Sequence, residues 1–306
     1  MQPDQIASLP YPMPIGLSIE PITAGFGARL SGLDISADLS DDMVDFVEAA
    51  MAFYAVLVVP NQKPTEAGLI RFSRSFGGLE LPRKSGYYER TRTRVGPEIY
   101  DAGNLDVDGE ILSPDAPARR FGKGNLLWHT DASFNDLPTK WSLLLAFEVP
   151  EEGGATEFAD MRAAYNALSP EERRECAGMT VRHSLWHSRS LGGYEVRDTL
   201  REQPEGVIHP LVREHAEGRR SLYLGAHAQE IVGMPKEQGD ALLDLLGQHA
   251  TEPQHVIAHQ WRTGDLIIWD NRCTLHRATP FDTLNVRRDM RRCTIVEGPN
   301  DVSSKA

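Results

Sequence analysis

The sequence contains only three cysteines in 306 residues, and Cys176, Cys273 and Cys293 lie far apart along the chain. Their number and spacing fit neither a disulfide framework nor a Cys-x-x-Cys zinc site, so a reducing, cytoplasmic location is expected. No apolar run approaches the roughly 20 residues of a membrane-spanning helix. The first residues also lack the basic and then apolar pattern of a signal peptide. We therefore predict no membrane partner.

Positive charge is scarce as well, because 32 basic residues stand against 44 acidic ones and the formal net charge is −12. This balance argues against binding nucleic acid through a broad basic surface. A small anionic organic substrate is still compatible with the sequence, since a few buried cations decide such binding locally. The hydrophobic fraction of 41% is enough for a large core.

Short strand patterns separated by turn residues run through most of the chain, and the helical patterns cluster mostly toward its N-terminal end. Helices are predicted to start at Ser40, Thr65, Asp160 and Ser169, which can each cap a helix N-terminus, and over 235–250. Strands are predicted over 17–22, 25–30, 54–60, 141–149, 180–187, 207–213, 220–225, 255–260 and 266–270, the last after a hairpin turn at 262–265. The pattern predicts a mostly β fold with flanking helices, of the β-sandwich or jelly-roll class.

We expect one domain over residues 1–306. Residues 1–16 are rich in proline and are predicted to form an extended arm. Residues 80–124 are the least regular part, with mixed charges and scattered glycine and proline, and are predicted to form an active-site lid or loop. A solvated surface loop explains any single residue of that segment equally well.

The motif Trp128-His129-Thr130-Asp131 is the first candidate site. In a strand, residues two apart project on the same side, so the His129 imidazole and the Asp131 carboxylate would point together. Two histidines and one carboxylate form the facial site that holds Fe(II) and leaves three positions open. On its own the motif is weak, because a chance pair on a loop explains it as well.

A third ligand is offered by His276, which follows the predicted strand over 266–270. Further on, a strand over 287–295 would place Arg288, Met290 and Arg292 on one face and Arg287, Asp289 and Arg291 on the other. A buried arginine is unfavourable unless it meets an anion. Inward arginines beside a metal therefore indicate a bound carboxylate.

Other histidines are better explained by packing. His183 and His187 are four apart, as in a zinc-binding helix, but their surroundings favour a strand and no Glu follows the first histidine. His209 and His227 are expected in the core or just behind the site. Cys273 is expected to be buried, because a thiolate has no place among the proposed ligands.

Together these features resemble the Fe(II)/2-oxoglutarate-dependent dioxygenases of the TauD/TfdA family, which includes taurine dioxygenase and 2,4-dichlorophenoxyacetate dioxygenase. The resemblance covers most of residues 17–297, with motifs in the family's order and spacing. They are Trp128-His129-x-Asp131, Gly153-Gly154-x-Thr156, Trp269-Asp270-Asn271-Arg272-x-x-x-His276-Arg277 and Arg288-x-x-x-Arg292. The segments 161–165 and 225–228 are most similar to the phenoxyacetate-degrading branch.

The resemblance implies a double-stranded β-helix (jelly-roll) core, a homo-oligomer, and three cofactors or co-substrates: Fe(II), 2-oxoglutarate and O2. The catalytic iron ligands would be His129, Asp131 and His276. Thr156 and Arg288 would bind the distal carboxylate of 2-oxoglutarate.

For the rest of the pocket, the resemblance implies that Trp269 forms a wall and that Arg292 lies near the proximal carboxylate of 2-oxoglutarate or the anion of the substrate. Asn125 matches a substrate-side position of the taurine branch. Lys84 is a candidate cation for the substrate's carboxylate, although the segment around it aligns poorly.

The implied reaction is hydroxylation of a small anionic, aromatic substrate such as an aryloxyalkanoate. The product then cleaves to a phenol and a 2-oxo acid, alongside succinate and CO2. Aromatic residues in or near the loops favour an aromatic acid; they are Tyr87, Tyr88, Phe134 and Trp186. One alternative is a dioxygenase for taurine, another alkylsulfonate or a small carboxylate, and a non-enzyme alternative is a cupin-like metal-binding protein. A zinc hydrolase has no use for the arginines, and the net charge argues against a nucleic-acid demethylase.

Overall fold

The computed structural model describes residues 12–81, 93–195 and 206–298, which form fifteen strands and seven helices within those ranges. The strands are β1 (Ser18–Pro21), β2 (Ala28–Ser31), β3 (Val56–Val59), β4 (Tyr100–Asp101), β5 (Thr139–Glu148), β6 (Thr156–Asp160), β7 (Thr180–His183), β8 (Val207–Pro210), β9 (Val212–Glu214), β10 (Arg220–Leu222), β11 (Ala228–Ile231), β12 (Val256–His259), β13 (Leu266–Asp270), β14 (Thr274–Ala278) and β15 (Asp289–Val296). The helices are α1 (Asp41–Tyr54), α2 (Glu66–Arg74), α3 (Pro117–Gly122), α4 (Met161–Ala167), α5 (Pro170–Cys176), α6 (Leu185–Leu191) and α7 (Lys236–Ala250). A mostly β fold with flanking helices is confirmed. No helix in these ranges is long and apolar enough to cross a membrane.

The larger sheet has seven strands in the order β1-β2-β3-β13-β5-β15-β4. Only the contact between β2 and β3 is parallel; the other neighbours are antiparallel. Strands β3 and β13 are apolar and buried on both faces, because one face meets the helices and the other meets the second sheet. This explains their continuous apolar sequences.

A smaller sheet in the order β12-β6-β14 faces the large one. The layer between them contains Phe158 of the small sheet and Leu144 and Trp269 of the large sheet, all buried. In the register of the small sheet, His276 lies opposite Phe158. Two further small sheets, β11-β7-β8 and β10-β9, complete the strands. The gap between the main sheets is where the functional side chains meet.

Helices α1 and α2 cover the outer face of the large sheet. Ser40 caps α1 and Thr65 caps α2, since each side chain accepts a backbone N–H of the first turn. Asp160 and Ser169 likewise cap α4 and α5, as predicted from their types and positions. The predicted helix over 235–250 is α7.

Several predicted elements were wrong in detail. The turn at 262–265 is not a hairpin, because β12 and β13 belong to different sheets. The strand predicted over 180–187 ends at His183, after which Ser184 caps α6. Residues 129–131 are not a regular strand: His129 makes an isolated bridge and Asp131 begins a turn.

The two irregular segments are only partly described. Of the predicted arm, residues 12–16 form no helix or strand, and the rest lies outside the described residues. Of the segment 80–124, residues 82–92 lie outside the described ranges. The remainder is more regular than expected, because β4 pairs with β15 at the edge of the large sheet and α3 follows.

We expect the centre of the large sheet to be sensitive to cavity formation. Leu143 of β5 is fully buried, so Leu143→Ala should lower the free energy of unfolding by about 2–5 kcal/mol in urea denaturation. Leu137→Ala is the matched control, because Leu137 is 53% exposed and its loss should change the stability by less than about 0.5 kcal/mol. Equal effects of the two substitutions would contradict this description of the core.

Candidate active site

His129 and His276 meet because the chain pairs their backbones directly. The N–H of His129 donates to the carbonyl of His276 at 3.0 Å, and the N–H of His276 donates back at 2.8 Å. Their ring centroids lie 4.2 Å apart. The Asp131 carboxylate completes the group, with Oδ1 4.0 Å from Nε2 of His129 and Oδ2 3.8 Å from Nε2 of His276. The three predicted ligands are therefore together, and all three are buried.

Asp131 is held by contacts on every polar atom. The Ser142 hydroxyl donates to Oδ2 at 2.7 Å, and the Arg292 guanidinium contacts Oδ1. The backbone N–H of Asp131 donates to the Asn271 side chain at 3.2 Å, and its carbonyl accepts from Thr139 at 2.9 Å. Burial alone would raise the pKa of Asp131, but the Arg292 guanidinium, together with the hydrogen bond from Ser142, holds the pKa below its usual value. The carboxylate is ionised and fixed.

The two histidines are suited to bind a metal ion. The Nδ1 atom of His129 lies 2.7 Å from the carbonyl of Leu127, which requires a proton on Nδ1 and leaves the Nε2 lone pair free. Burial is the main cause that lowers the pKa of His129 and of His276, so both rings are neutral. Two neutral imidazoles and one ionised carboxylate are the donor set that non-haem Fe(II) takes. The residues present fit that ion.

A cavity of about 580 Å³ opens onto this group. His129 and His276 contribute to its wall, and so do the predicted pocket residues Asn125, Thr156, Trp269, Arg288 and Arg292. The Trp269 ring packs against the His276 ring with centroids 4.7 Å apart, and its Nε1 donates to Asn271 at 3.0 Å. The predicted site residues within the described ranges therefore all line one cavity except Asp131, which lies beside its two histidines. Lys84, the remaining candidate, lies outside the described residues.

Arg288 is a buried cation without an acidic partner. Its guanidinium donates to the carbonyl of Gly154 at 2.8 Å and to the sulfur of Met290 at 2.9 Å, but no carboxylate within residues 12–81, 93–195 and 206–298 pairs with it. Burial lowers the pKa of Arg288 to about 10. The buried Arg288 guanidinium has lost its hydration without gaining an anionic partner among the described residues. It is therefore a candidate binding group for an anion.

Thr156 lies in the same cavity with a hydroxyl that can donate. Its Oγ1 accepts a hydrogen bond from Nε1 of Trp261 at 2.9 Å. The hydroxyl proton has no acceptor in the part of the chain that the structure describes. A carboxylate between this hydroxyl and Arg288 would satisfy both groups.

Arg292 and Arg288 project from one side of the 287–295 segment, as the alternation predicted. Arg292 lies 4.6 Å from the centroid of the Tyr100 ring and contacts Asp131, and its Nε atom is buried with no partner among the described residues. On the other face, Arg291 pairs with Asp289 at 3.1 Å. The inward face of this strand therefore contributes two of the basic residues that line the cavity; Arg119, Arg120 and Lys123 also line it.

The comparisons with known proteins agree with this geometry. Residues 18–294 match the family described as "Taurine catabolism dioxygenase TauD, TfdA family". The chain belongs to the TauD/TfdA family.

Individual TauD/TfdA proteins match over most of their length. One relative is the alpha-ketoglutarate-dependent 2,4-dichlorophenoxyacetate dioxygenase of Burkholderia sp. (strain RASC), 39% identical, with 88% of this chain and 91% of the relative covered. Another is the (S)-phenoxypropionate/alpha-ketoglutarate-dioxygenase of Sphingobium herbicidovorans, 36% identical, with 88% and 91% covered. A crystal structure of AAD-2 in complex with Mn(II) and N-oxalylglycine superposes with a TM-score of 0.88 at 40% identity, covering 93% of this chain and 99% of that one. The jelly-roll core is thereby confirmed.

Two residues important to this TauD/TfdA site were missed in the sequence. Ser142 bonds Asp131, and Asn271 joins Ser142 to Trp269 by donating to the Ser142 hydroxyl at 2.9 Å. Ser142 is the one polar residue in the run Trp141-Ser142-Leu143-Leu144-Leu145, and a hydroxyl in a fully buried strand needs a partner. A structural role for Ser142 could therefore have been predicted from the sequence. Asn271 lies in the motif that contains Trp269 and His276, but no role was predicted for it.

The other histidines form a buried group behind the ligands. The Ser133 hydroxyl lies 3.0 Å from Nδ1 of His183 and 3.3 Å from Nδ1 of His227. The His227 ring stands edge-on to His129 with centroids 6.0 Å apart, and Nε2 of His209 bonds the Ser133 carbonyl at 2.8 Å. The predicted packing role of these histidines is thus what the contacts support. His183 and His187 do not form a ligand pair, since one ends β7 and the other lies in α6.

Burial of His183 makes stability depend on pH. Burial, with His209 and Arg213 adding to it, lowers the pKa of His183 to about 3. Below pH 6.5 the unfolded chain takes up a proton that the folded protein cannot, so stability falls as the pH falls. Between pH 7 and pH 5 the metal-free wild type should lose about 2 kcal/mol more stability than His183→Gln. Urea denaturation with a chelator tests this, and equal losses in both proteins would contradict it.

Proposed function

We propose that this protein is an Fe(II)- and 2-oxoglutarate-dependent dioxygenase whose substrate is a small aromatic acid of the aryloxyalkanoate type. The observation that carries the proposal is one cavity lined by the histidines of the His129–Asp131–His276 group and by Arg288, a buried cation that no carboxylate of the described residues pairs with. A site that only stored metal would have no need for that cation. The relatives named for 2,4-dichlorophenoxyacetate and (S)-phenoxypropionate support the substrate class.

His129, Asp131 and His276 would hold Fe(II). When bound, the ion supplies the redox chemistry by which O2 oxidises 2-oxoglutarate to succinate and CO2 and one oxygen atom enters a C–H bond of the substrate. The chain's own part is to keep the ligands in place before the ion arrives. The Leu127 carbonyl orients His129, and Ser142 and Arg292 orient Asp131.

Arg288 and Thr156 would bind the distal carboxylate of 2-oxoglutarate. The guanidinium and the hydroxyl can each donate a charge-assisted hydrogen bond, which anchors one end of the molecule in the cavity that also holds the histidines. Trp269 and the Gly154 backbone limit how the molecule can lie. N-oxalylglycine, present in the AAD-2 structure, is a dicarboxylate of the same length, which supports this assignment.

The charge of the cavity favours an anionic substrate. Five basic residues line the cavity before any ligand binds, against two carboxylates: Asp101 in the lining and Asp131, which Arg292 contacts; the basic residues are Arg119, Arg120, Lys123, Arg288 and Arg292. Iron and the dianionic 2-oxoglutarate cancel each other, so positive charge is left over. Arg292, half-buried and touching Asp131, would then serve the proximal carboxylate of 2-oxoglutarate or the substrate's anion.

One wall of the cavity offers apolar contacts to an aromatic ring. Leu112, Phe121 and Leu126 contribute this apolar surface, and polar or cationic side chains of the same lining are those of Arg119, Arg120, Lys123 and Asn125. With the acid group anchored inside, the carbon beside the ether oxygen of an aryloxyalkanoate would be the atom hydroxylated. The resulting hemiacetal collapses to a phenol and a 2-oxo acid. Residues 93–124 supply much of this wall, in keeping with the proposed lid over 80–124.

Two alternative functions are less well supported. A taurine or alkylsulfonate dioxygenase would use the same iron and 2-oxoglutarate groups, but a small sulfonate would leave the apolar contacts of Leu112, Phe121 and Leu126 unused. A cupin-like metal-binding protein does not explain Arg288. The single domain, the cytoplasmic location and the homo-oligomeric state remain predictions.

A substrate panel tests the proposed reaction. With Fe(II), ascorbate and 2-oxoglutarate, phenoxyacetates should release a phenol with one succinate per phenol, and taurine should release no sulfite above background. Phenol is measured colorimetrically and succinate by chromatography. Sulfite without phenol would favour the sulfonate reading, and no succinate with any substrate would overturn the dioxygenase proposal.

Arg288→Lys should raise the KM for 2-oxoglutarate by at least about 30-fold, because a lysine cannot reproduce a two-pronged contact at a buried site. The kcat at saturating 2-oxoglutarate should fall much less. Arg287→Lys is the control, since Arg287 is an exposed neighbour that pairs with Glu148 at 3.0 Å. Equal KM values for the two variants would remove Arg288 from the proposed pocket.

Ser142→Ala should weaken Fe(II) binding by about 10–100-fold, because Asp131 loses the hydroxyl that orients Oδ2. The Fe(II) concentration that gives half-maximal succinate formation measures the effect. Ser36→Ala removes an exposed hydroxyl that donates to Asp34 and should change nothing. A normal Fe(II) requirement in Ser142→Ala would mean that Asp131 does not bind the ion through the proposed arrangement.

A further inference from the structure

A second group of metal-ligating side chains lies at the end of α7, away from the cavity. His249 is in the last turn of this helix, Glu252 follows it, and His255 ends a short 3-10 turn at Pro253–His255. One donor atom from each residue lies within 4.8 Å of the other two. None of the three lines the cavity described above.

Each imidazole of this group has a ring nitrogen available to a ligand. Nε2 of His249 lies 3.0 Å from the carbonyl of Ala164, so this nitrogen carries the proton and Nδ1 keeps a free lone pair. The His255 side chain is buried, with 7% of the residue exposed, and its Nε2 has no hydrogen-bond partner among the described residues. The two rings stand edge to face with centroids 5.6 Å apart. A buried, unpartnered imidazole nitrogen beside a second, oriented imidazole calls for a ligand.

The electrostatic surroundings favour a cation. The carbonyl end of a 15-residue helix carries partial negative charge, and His249 and Glu252 lie at that end of α7. Glu172 and Asp160 also interact electrostatically with the pair of histidines.

We propose that His249, Glu252 and His255 form a second metal site, which binds a divalent transition metal such as Zn(II) through two imidazoles and one carboxylate. Three such protein ligands leave one position for water in a tetrahedral shell. Two ligand atoms that share such an ion lie about 3.4 Å apart, so the donors must approach one another slightly. Glu252 is exposed and can move to close the gap. The ion ties the end of α7 to the start of β12, and this role is independent of the dioxygenase reaction.

Zinc stoichiometry of the full-length, metal-free protein tests the proposal. Equilibrium dialysis against Zn(II) followed by elemental analysis should give two equivalents for the wild type, one in each site. His255→Gln should bind one, and His276→Gln should also bind one, because each variant loses a different site. In His276→Gln, the remaining zinc should raise the melting temperature, and adding His255→Gln should abolish that rise.

Variants at Glu252 keep the test decisive if His255→Gln folds poorly. Glu252→Gln should weaken the second zinc at least 10-fold, whereas Glu237→Gln, in the first turn of the same helix, should leave it unchanged. Iron-loaded Glu252→Gln should keep the activity of the wild type, which separates this result from any failure of the dioxygenase proposal. A single zinc equivalent in the wild type that His276→Gln loses and His255→Gln keeps would overturn the second site. A second equivalent that survives both His255→Gln and Glu252→Gln would also overturn it.

Discussion

The backbones of His129 and His276 exchange two hydrogen bonds, and both residues line the cavity. This pairing joins residues almost half the chain apart, and it sets the positions of both imidazoles before any side-chain contact is considered. Asp131 can then stay ionised in a buried position only because Ser142 and Arg292 occupy its oxygens. The proposed iron site depends on this pairing, because it brings the two imidazoles beside the Asp131 carboxylate.

The positive charge beside the pairing has a different character. Arg288 is buried and has no acidic partner among the described residues, so it costs the empty protein stability. A carboxylate bound beside Arg288 would replace the hydration that the guanidinium lost on burial. A local loss of folding stability that a ligand offsets is expected at a functional site.

Much of this could be predicted from the sequence because it rests on local rules. Ser40 and Thr65 cap helices by their side-chain chemistry, and the alternation over 287–295 placed Arg288 and Arg292 together. What depended on partners distant in sequence was missed: the role of Ser142, the bridge that replaces a strand at His129, and the separate sheets of β12 and β13. A hydroxyl within an apolar run shows that a partner exists but does not show which residue it is.

The central claim is that the metal group and Arg288 hold one molecule of 2-oxoglutarate between them. Calorimetric titration of 2-oxoglutarate without oxygen, in the presence and absence of Mn(II), tests this directly, because a shared ligand must couple the two sites reciprocally. The account predicts that Mn(II) tightens 2-oxoglutarate binding at least 10-fold in the wild type and has no such effect in His276→Gln. The same dissociation constant with and without Mn(II) would contradict it.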